Sequence, residues 1–527
     1  MTSRTKTPAT TGGNALLDKV LGGIERAGNK LPHPVVLFLC IFAVLGVIST
    51  ALAAGGATVT VPGDDEVLEV KGLFTGEGIT WLLENFIPNF TGFPSLGTVL
   101  LMMAAVGVAE RTGMLETAVR VSIGRAPKAV LPYLVAFVAA QGHLMSDVAI
   151  LIIPPLAALV FKGAGRNPIA GLIGGFACVC AGYAAGFSIG ALDALYTGIT
   201  QQAAAVLPGG EEAPTHILVN YFFTATASVF LALIGGFLID RVLEPRLPAA
   251  VETAAPGDDA ATADDGGYRP TLEVTAAERR GLRLAGLTVL VYAAVVIVCW
   301  LLPGSALRGE GGALVPSPVL TGIVPLLFVA FLLAGIVYGK VTGKVRKAGD
   351  VPELMADSIT GMSAYIVLIL VIAQVIGVFD WSNVGTLLAV KGAALLESAG
   401  LTGFTGLVLF VLLVCLLNLF VTSGSALWSL VAPVFVPAFM LIGLSPAVTQ
   451  AAFRIGDSAT QMITPLNPYV FLMLIILRRY EPDAKLGTIL SRLFVFVVPF
   501  LVAWLIALAV FYGFDLPLGP GAGIHQD

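Results

Sequence analysis

Apolar runs recur from residue 34 to residue 512, and most are as long as a bilayer is thick. A membrane-crossing helix takes roughly 20 apolar residues. Inside lipid its backbone amides must bond to one another, which leaves helices or closed barrels. The chain is therefore expected to be an all-α polytopic membrane protein. Nine spans are expected, at 34–54, 94–110, 167–198, 218–243, 283–303, 316–338, 359–379, 448–477 and 488–512. Charged residues make up only 12% of the chain, about half the share in a soluble domain.

Two other apolar stretches, 127–162 and 403–442, are too long for one crossing. Small and polar residues interrupt both near the middle, at Gln141-Gly142-His143-Leu144-Met145-Ser146-Asp147 and at Thr422-Ser423-Gly424-Ser425. Each is expected to be a re-entrant hairpin that enters and leaves on one side.

Charge sets the orientation. Arg4, Lys6, Lys19, Arg26 and Lys30 precede the first span, and the loop after it holds Asp64, Asp65, Glu66, Glu69, Glu77 and Glu84 against Lys71. Arg111, Arg120, Arg125, Lys128, Lys162 and Arg166 flank the first hairpin. Lys340, Lys344, Arg346 and Lys347 follow the sixth span, and Arg478 and Arg479 end the eighth. The excess of Lys and Arg on cytoplasmic loops places these clusters inside. Nine crossings then leave the C-terminus outside, with hairpin one entering from the cytoplasm and hairpin two from outside.

The expected units are a cytoplasmic tail (1–33), a first transmembrane half (34–243), a cytoplasmic linker (244–282), a second half (283–515) and an extracytoplasmic tail (516–527). Residues 249–270 are small, acidic and Pro/Gly-bearing, as in a disordered linker. Segment 381–402, with Lys391 and Glu397, is expected as an amphipathic helix at the outer interface. The first 30 residues lack a signal-peptide core. Cys40, Cys178, Cys180, Cys299 and Cys415 all lie in apolar runs and suggest neither disulfides nor a metal site. There is no P-loop and no H-E-x-x-H. A channel would repeat its filter around a ring, and no such filter is visible. No cofactor and no nucleic-acid partner is expected.

The halves show traces of an inverted repeat, the build of many secondary transporters. Aligned without gaps, 182–195 and 456–469 match at Gly182/Gly456, Ala185/Ala459, Ile189/Ile463 and Leu192/Leu466, with Asp193 opposite Asn467. Ser146 precedes Pro154 by the same interval as Ser425 precedes Pro433. Substrate and ions would then bind at mid-membrane, between hairpin tips and broken helices.

The candidate residues follow from cost. Arg454 and Asp457 are three apart, so they share a helix face, and Thr464-Pro465-Leu466-Asn467-Pro468 breaks that helix. Ionisable groups at membrane depth are expensive, and broken backbone is tolerated there only where it is buried in protein or lines a cavity. Asp457, beside Ser458, reads as a cation ligand, proton site or substrate contact, or as the structural partner of Arg454. Arg454 reads as a clamp on a substrate carboxylate, or as that partner. Asp193 follows Gly182, Gly186 and Gly190; it is an ion ligand or proton carrier, or a hydrated carboxylate capping a turn. Around the second tip, Asn418, Thr422, Ser423 and Ser425 offer oxygens to Na⁺ or to polar substrate groups, or simply pack tightly. Trp428 could stack on an aromatic ring or anchor the bundle. At the first tip, His143, Ser146 and Asp147 face the cavity or cap a half-helix. An intramembrane aspartyl protease using Asp193 and Asp457 is the alternative reading, though Gly and Pro breaks suit transport better.

NFTGFPSLGTVLLMMAAVGVAERTGML (89–115), IPPLAALVFKGAGRNPIAGL (153–172), IGALDALYTGIT (189–200) and RIGDSATQMITPLNPY (454–469) resemble the aminobenzoyl-glutamate transporter (AbgT) family. The resemblance runs over nearly the whole chain. It implies a homodimer in the bacterial inner membrane, with nine spans and two hairpins per subunit. It implies transport of p-aminobenzoyl-glutamate or related folate-pathway compounds driven by an ion gradient, and in some members export of sulfonamides. By position in these motifs, the family's functional residues fall on Asp193, Asn418, Ser425, Trp428, Pro446, Arg454, Asp457, Ser458 and Pro465. The substrate's ring suits Trp428 and its carboxylates suit Arg454. The coupling cation is Na⁺ or H⁺. Na⁺ suits Asn418 and Asp457, since a cationic neighbour at Arg454 favours the ionised acid, and Asp193 is then the proton carrier.

Overall fold

The computed structural model describes residues 33–61, 67–124, 126–145, 148–247, 273–309, 317–421, 423–464 and 467–526. Its helices are α1 (Pro34–Ala54), α2 (Gly76–Thr91), α3 (Pro94–Arg111), α4 (Met114–Ile123), α5 (Leu131–Ala140), α6 (Val148–Gly163), α7 (Pro168–Ala181), α8 (Ala191–Ala204) and α9 (Tyr221–Phe237). They continue with α10 (Ala276–Leu301), α11 (Pro318–Thr321), α12 (Ile323–Thr342), α13 (Asp350–Thr360), α14 (Ser363–Trp381), α15 (Val384–Ser398), α16 (Gly403–Asn418), α17 (Gly424–Leu441), α18 (Pro446–Thr460), α19 (Pro468–Leu477) and α20 (Leu486–Gly513). A small antiparallel pair, β1 (Thr58–Thr60) and β2 (Val67–Glu69), with Thr58 opposite Glu69, follows α1.

Among the described residues eight helices are long and apolar enough to cross a membrane, or nine if α15 and α16, bent by 115°, count as one span. Seven of the expected spans are continuous: α1, α3, α9, α10, α12, α14 and α20. The other two are each a pair of short helices around a break, α7 with α8 and α18 with α19. Their starts follow local rules. The Asn167 and Ser445 side chains cap α7 and α18, and proline stands at the first helical position of each, where its missing N–H costs nothing. Helix α10 exposes Leu287, Leu290, Val291, Val295 and Val298, an apolar face suited to lipid.

Helix pairs occupy both long stretches. The first is α5 and α6, joined through a 3₁₀ turn at Gln141–Met145; the second is α16 and α17. In each half a helix pair, a broken helix and a long helix follow in the same order. The two pairs open at opposite ends of α9. At the feet of the first, Arg166 bonds Lys128 O at 2.9 Å, Asp240 at 2.6 Å and Glu244, and the last two lie in the 3₁₀ and π turns that prolong α9 to Arg246. At the feet of the second, Asn220, which precedes α9, donates to Ala447 O at 2.8 Å. The C-terminal segment stitches the same end. Phe222 and Phe223 amides donate to Leu518 O, and Ser445 N donates to Ile524 O at 2.9 Å. Phe404 and Tyr512 rings lie 5.4 Å apart there.

Four expectations are corrected. The gap-free pairing of 182–195 with 456–469 is displaced by one helical turn. The starts Pro168 and Pro446 are 278 positions apart, whereas that pairing uses 274. Gly182, Gly186 and Gly190 lie in the break between α7 and α8 and not in a helix. The linker 244–282 is shorter: 244–246 prolong α9 and 276–282 begin α10. Residues 249–270 and most of the tail 1–33 lie outside the described residues. Finally, α15 is helical as expected but packs along α17, burying Val384, Thr386, Ala389 and Ala393.

Candidate functional site

Each tip sits against the break of its own half. In the first, the His143 Nε2–H donates to Ser188 O at 2.7 Å, and Gln141 Oε1 accepts from the Phe187 amide at 2.9 Å. In the second, α16 ends at Asn418, whose side-chain amide donates to Asp457 O at 2.6 Å and to Thr460 Oγ1 at 3.2 Å. Thr464 Oγ1 returns a bond to Asn418 O at 3.2 Å. Ser423 and Ser425 hydroxyls lie 3.0 Å apart at the start of α17. Ser146, Asp147 and Thr422 lie outside the described residues.

The two acidic candidates have different surroundings. Asp193 stands in the first turn of α8. Its Oδ2 accepts from the Gly190 amide at 2.9 Å, and its Oδ1 pairs with Arg454 Nη1 at 2.9 Å. The Arg454 side chain is 2% exposed, and its guanidinium also reaches Ala184 O at 3.3 Å and lies 5.3 Å over the Tyr196 ring. Asp457 is buried in the middle of the bundle. Its Oδ2 accepts from the Tyr196 hydroxyl at 2.7 Å. Among the described residues its Oδ1 has no hydrogen-bond partner, and neither do Asn418 Oδ1, Ser458 Oγ or Arg454 Nε. Buried polar atoms are seldom left so, and three of these four are oxygens.

The expected Arg454–Asp457 pair is therefore replaced by Arg454–Asp193. Side chains on a helix lean toward its N-terminus. The long Arg454 side chain thus runs away from Asp457, which follows it, and toward α8. This also gives the two carboxylates different partners. A protease dyad needs two acids sharing one proton, whereas here each acid has its own partner, a guanidinium for one and a phenol for the other.

Trp428 is fully buried. Its indole N–H donates to Tyr196 O and Thr200 Oγ1, both at 3.1 Å, and its ring lies 4.5 Å from Phe453. Thr200 bonds onward to Gln450 at 2.6 Å. Pro446 is not brought to this cluster. It opens α18 at the C-terminal segment, about 16 Å of helix rise from Asp457. Pro465 lies outside the described residues. The residue that sequence reasoning missed is Tyr196. Its signal was present, a phenol one turn after Asp193 on the same apolar helix, but nothing local points it at residue 457. No group of three His, Cys, Asp or Glu at metal-binding distance occurs among the described residues.

Residues 19–526 match the AbgT putative transporter family. The chain is 38% identical over 504 residues to the p-aminobenzoyl-glutamate transport protein of Escherichia coli (strain K12), covering 95% of this chain and 96% of that one. Among solved structures it is similar to the YdaH transporter of Alcanivorax borkumensis, with a TM-score of 0.86 and 34% identity, over 93% of this chain and 100% of that one. It is also similar to MtrF of Neisseria gonorrhoeae, from a class of antimetabolite efflux pumps, with a TM-score of 0.88 and 35% identity over 95% and 100%.

Proposed function

Because the chain belongs to the AbgT transporter family, and so is a multi-pass membrane transporter, we propose that it moves p-aminobenzoyl-glutamate or related folate-pathway compounds as an ion-coupled secondary transporter. Sulfonamides, which share the aminophenyl part, are the second ligand class. The observation that carries this reading is the buried meeting of two broken helices with two oppositely opening helix pairs, around Arg454, Asp193 and Asp457. Transport by alternating access needs such a place, where one half can rock against the other.

Each group has work that fits its chemistry. Arg454 exchanges Asp193 for a substrate carboxylate. Trp428 and Phe453 form an aromatic wall for the aminophenyl ring. Ser425 and Ser458 supply hydroxyls. The coupling cation, Na⁺ or H⁺, is taken at Asp457. Its free carboxylate oxygen, Asn418 Oδ1 and Ser458 Oγ are hard donors of the kind Na⁺ takes. Pairing with Arg454 removes Asp193 from the first rank of cation carriers. Arg454 stays a cationic neighbour of Asp457 at longer range, without bonding to it.

The protein works as a homodimer in the bacterial inner membrane, N-terminus inside and C-terminus outside, with both helix pairs re-entrant. Cysteine at Ala260 should label only from the cytoplasm and cysteine at Gln526 only from outside; reversed access rejects this orientation. The deciding experiment is flux of labelled p-aminobenzoyl-glutamate and of a sulfonamide in proteoliposomes, with Na⁺ and pH gradients imposed separately at fixed potential. Flux that depends on one gradient is expected. Flux of neither compound, or indifference to both gradients, rejects the reading.

A further inference from the structure

We infer that Tyr196 is a positioning residue whose hydroxyl ties the loading of Asp457 to the closure of α8 against α17 and α18. The inference rests on the transport reading above and adds a residue and a coupling step to it.

Tyr196 belongs to the first half of the chain, yet four of its contacts are with the second. Its hydroxyl donates to Asp457 Oδ2 at 2.7 Å. Its ring carries the Arg454 guanidinium on one face, 5.3 Å from the centroid, and meets Phe453 edge-on at 5.3 Å and 84°. Its carbonyl accepts from Trp428. The start of α17 closes on the same point. A Cβ placed on Gly424 would lie 2.3 Å from the Tyr196 hydroxyl and 2.7 and 3.0 Å from the two Asp457 carboxylate oxygens. Only a residue without a side chain lets α17 reach the pair.

The direction of the effect follows from hydrogen-bond chemistry. A phenol donates more strongly to a charged carboxylate than to a neutral or cation-occupied one, by roughly a factor of two. Empty, Asp457 holds Tyr196 and with it α8. Loaded, it holds Tyr196 less, and α8 is freer to part from α17 and α18. The same ring supports Arg454, so loading also changes the seat of the group that pairs with Asp193. The two acids are thereby coupled through one side chain without touching.

Tyr196→Phe removes the hydroxyl and keeps the ring on Arg454 and Phe453. In proteoliposomes we expect its maximal flux to fall on the order of tenfold, with substrate KM nearly unchanged and the half-maximal coupling-ion concentration moved on the order of tenfold, as for loss of a hydrogen bond to a charged group. Gly424→Ala should act in the same direction. In a Tyr196→Phe background it should cost less than alone, because the nearest atom it strikes is gone. If Tyr196→Phe is not monodisperse in detergent, Gly424→Ala decides. Ion dependence that matches wild type in the well-folded variant overturns this inference alone. Wild-type flux indifferent to both gradients overturns the transport reading, and this inference with it.

Discussion

Asp193 and Asp457 both lie in broken helices, one just after the break of its half and the other before it, and the bundle treats them oppositely. Asp193 has its charge matched three ways, by Arg454, by the Gly190 amide and by the positive end of α8. Asp457 is buried with a neutral phenol on one oxygen and no partner among the described residues on the other. A matched charge holds two elements together. An unmatched one changes when a cation arrives. The clasp thus joins one residue from each half, and on the reading proposed above the acid left open to a cation lies in the second.

Removing one member of the clasp should have the largest effect. Asp193→Ala leaves Arg454 buried and unpaired, at a cost of about 3–5 kcal/mol, read as a drop in Tm of the purified protein. Asp457→Asn strands no charge and should keep its stability within about 1 kcal/mol, and so nearly its Tm, while losing the ion dependence of flux. If both variants melt alike, the contrast between the two acids fails. Next in size, Asp193→Asn combined with Arg454→Gln should recover part of the loss seen in either single variant. A coupling of about 0.5–3 kcal/mol is expected for groups in contact, and simple additivity would mean that the pair does not hold the halves together.

Trp428→Phe keeps an aromatic ring beside Phe453 and gives up the bonds to Tyr196 O and Thr200. It should cost about 1 kcal/mol, and flux should fall for both ligand classes alike; a loss confined to one class would place Trp428 at one end of the substrate. The smallest effect concerns the loop before α9. Burial lowers the pKa of His216, whose Nε2–H donates to Pro520 O at 2.8 Å while its Nδ1 accepts from the Leu218 amide at 3.2 Å. The folded form favours the neutral ring. Its contribution is therefore present above the usual histidine value of about 6.5 and lost as pH falls below it. A cysteine at Ile524, buried in the C-terminal segment, should label faster at pH 5.5 than at pH 7.5 once each rate is divided by that of a fully exposed cysteine at the same pH, because the thiolate is the reacting form; an unchanged ratio rejects a role for His216 in holding it.

An all-α fold of about eight or nine apolar spans, both helix pairs and both breaks were legible because each is written locally, in run length, in Gly and Pro, and in capping residues such as Asn167 and Ser445. The partner of Arg454 was not. Spacing of three places Asp457 on the same face but says nothing of which way a long side chain leans. Tyr196 was missed for a related reason, since its hydroxyl meets a residue 261 positions away. The repeat was read one turn out of register because apolar residues recur every three to four positions along any buried helix, so a shift of four preserves most matches.

Tyr196 on Asp457, Asp193 on Arg454 and Thr200 on Gln450 all join residues about 250 positions or more apart. Neither half can form this site alone, so its closing belongs to the end of folding, after both halves lie side by side in lipid. Contacts of such high separation form slowly. Until they do, Arg454 and Asp457 are charged groups exposed to hydrocarbon or to each other. A chain that fails to bring Asp193 to Arg454 keeps a buried guanidinium without its carboxylate, a cost that only assembly of both halves relieves.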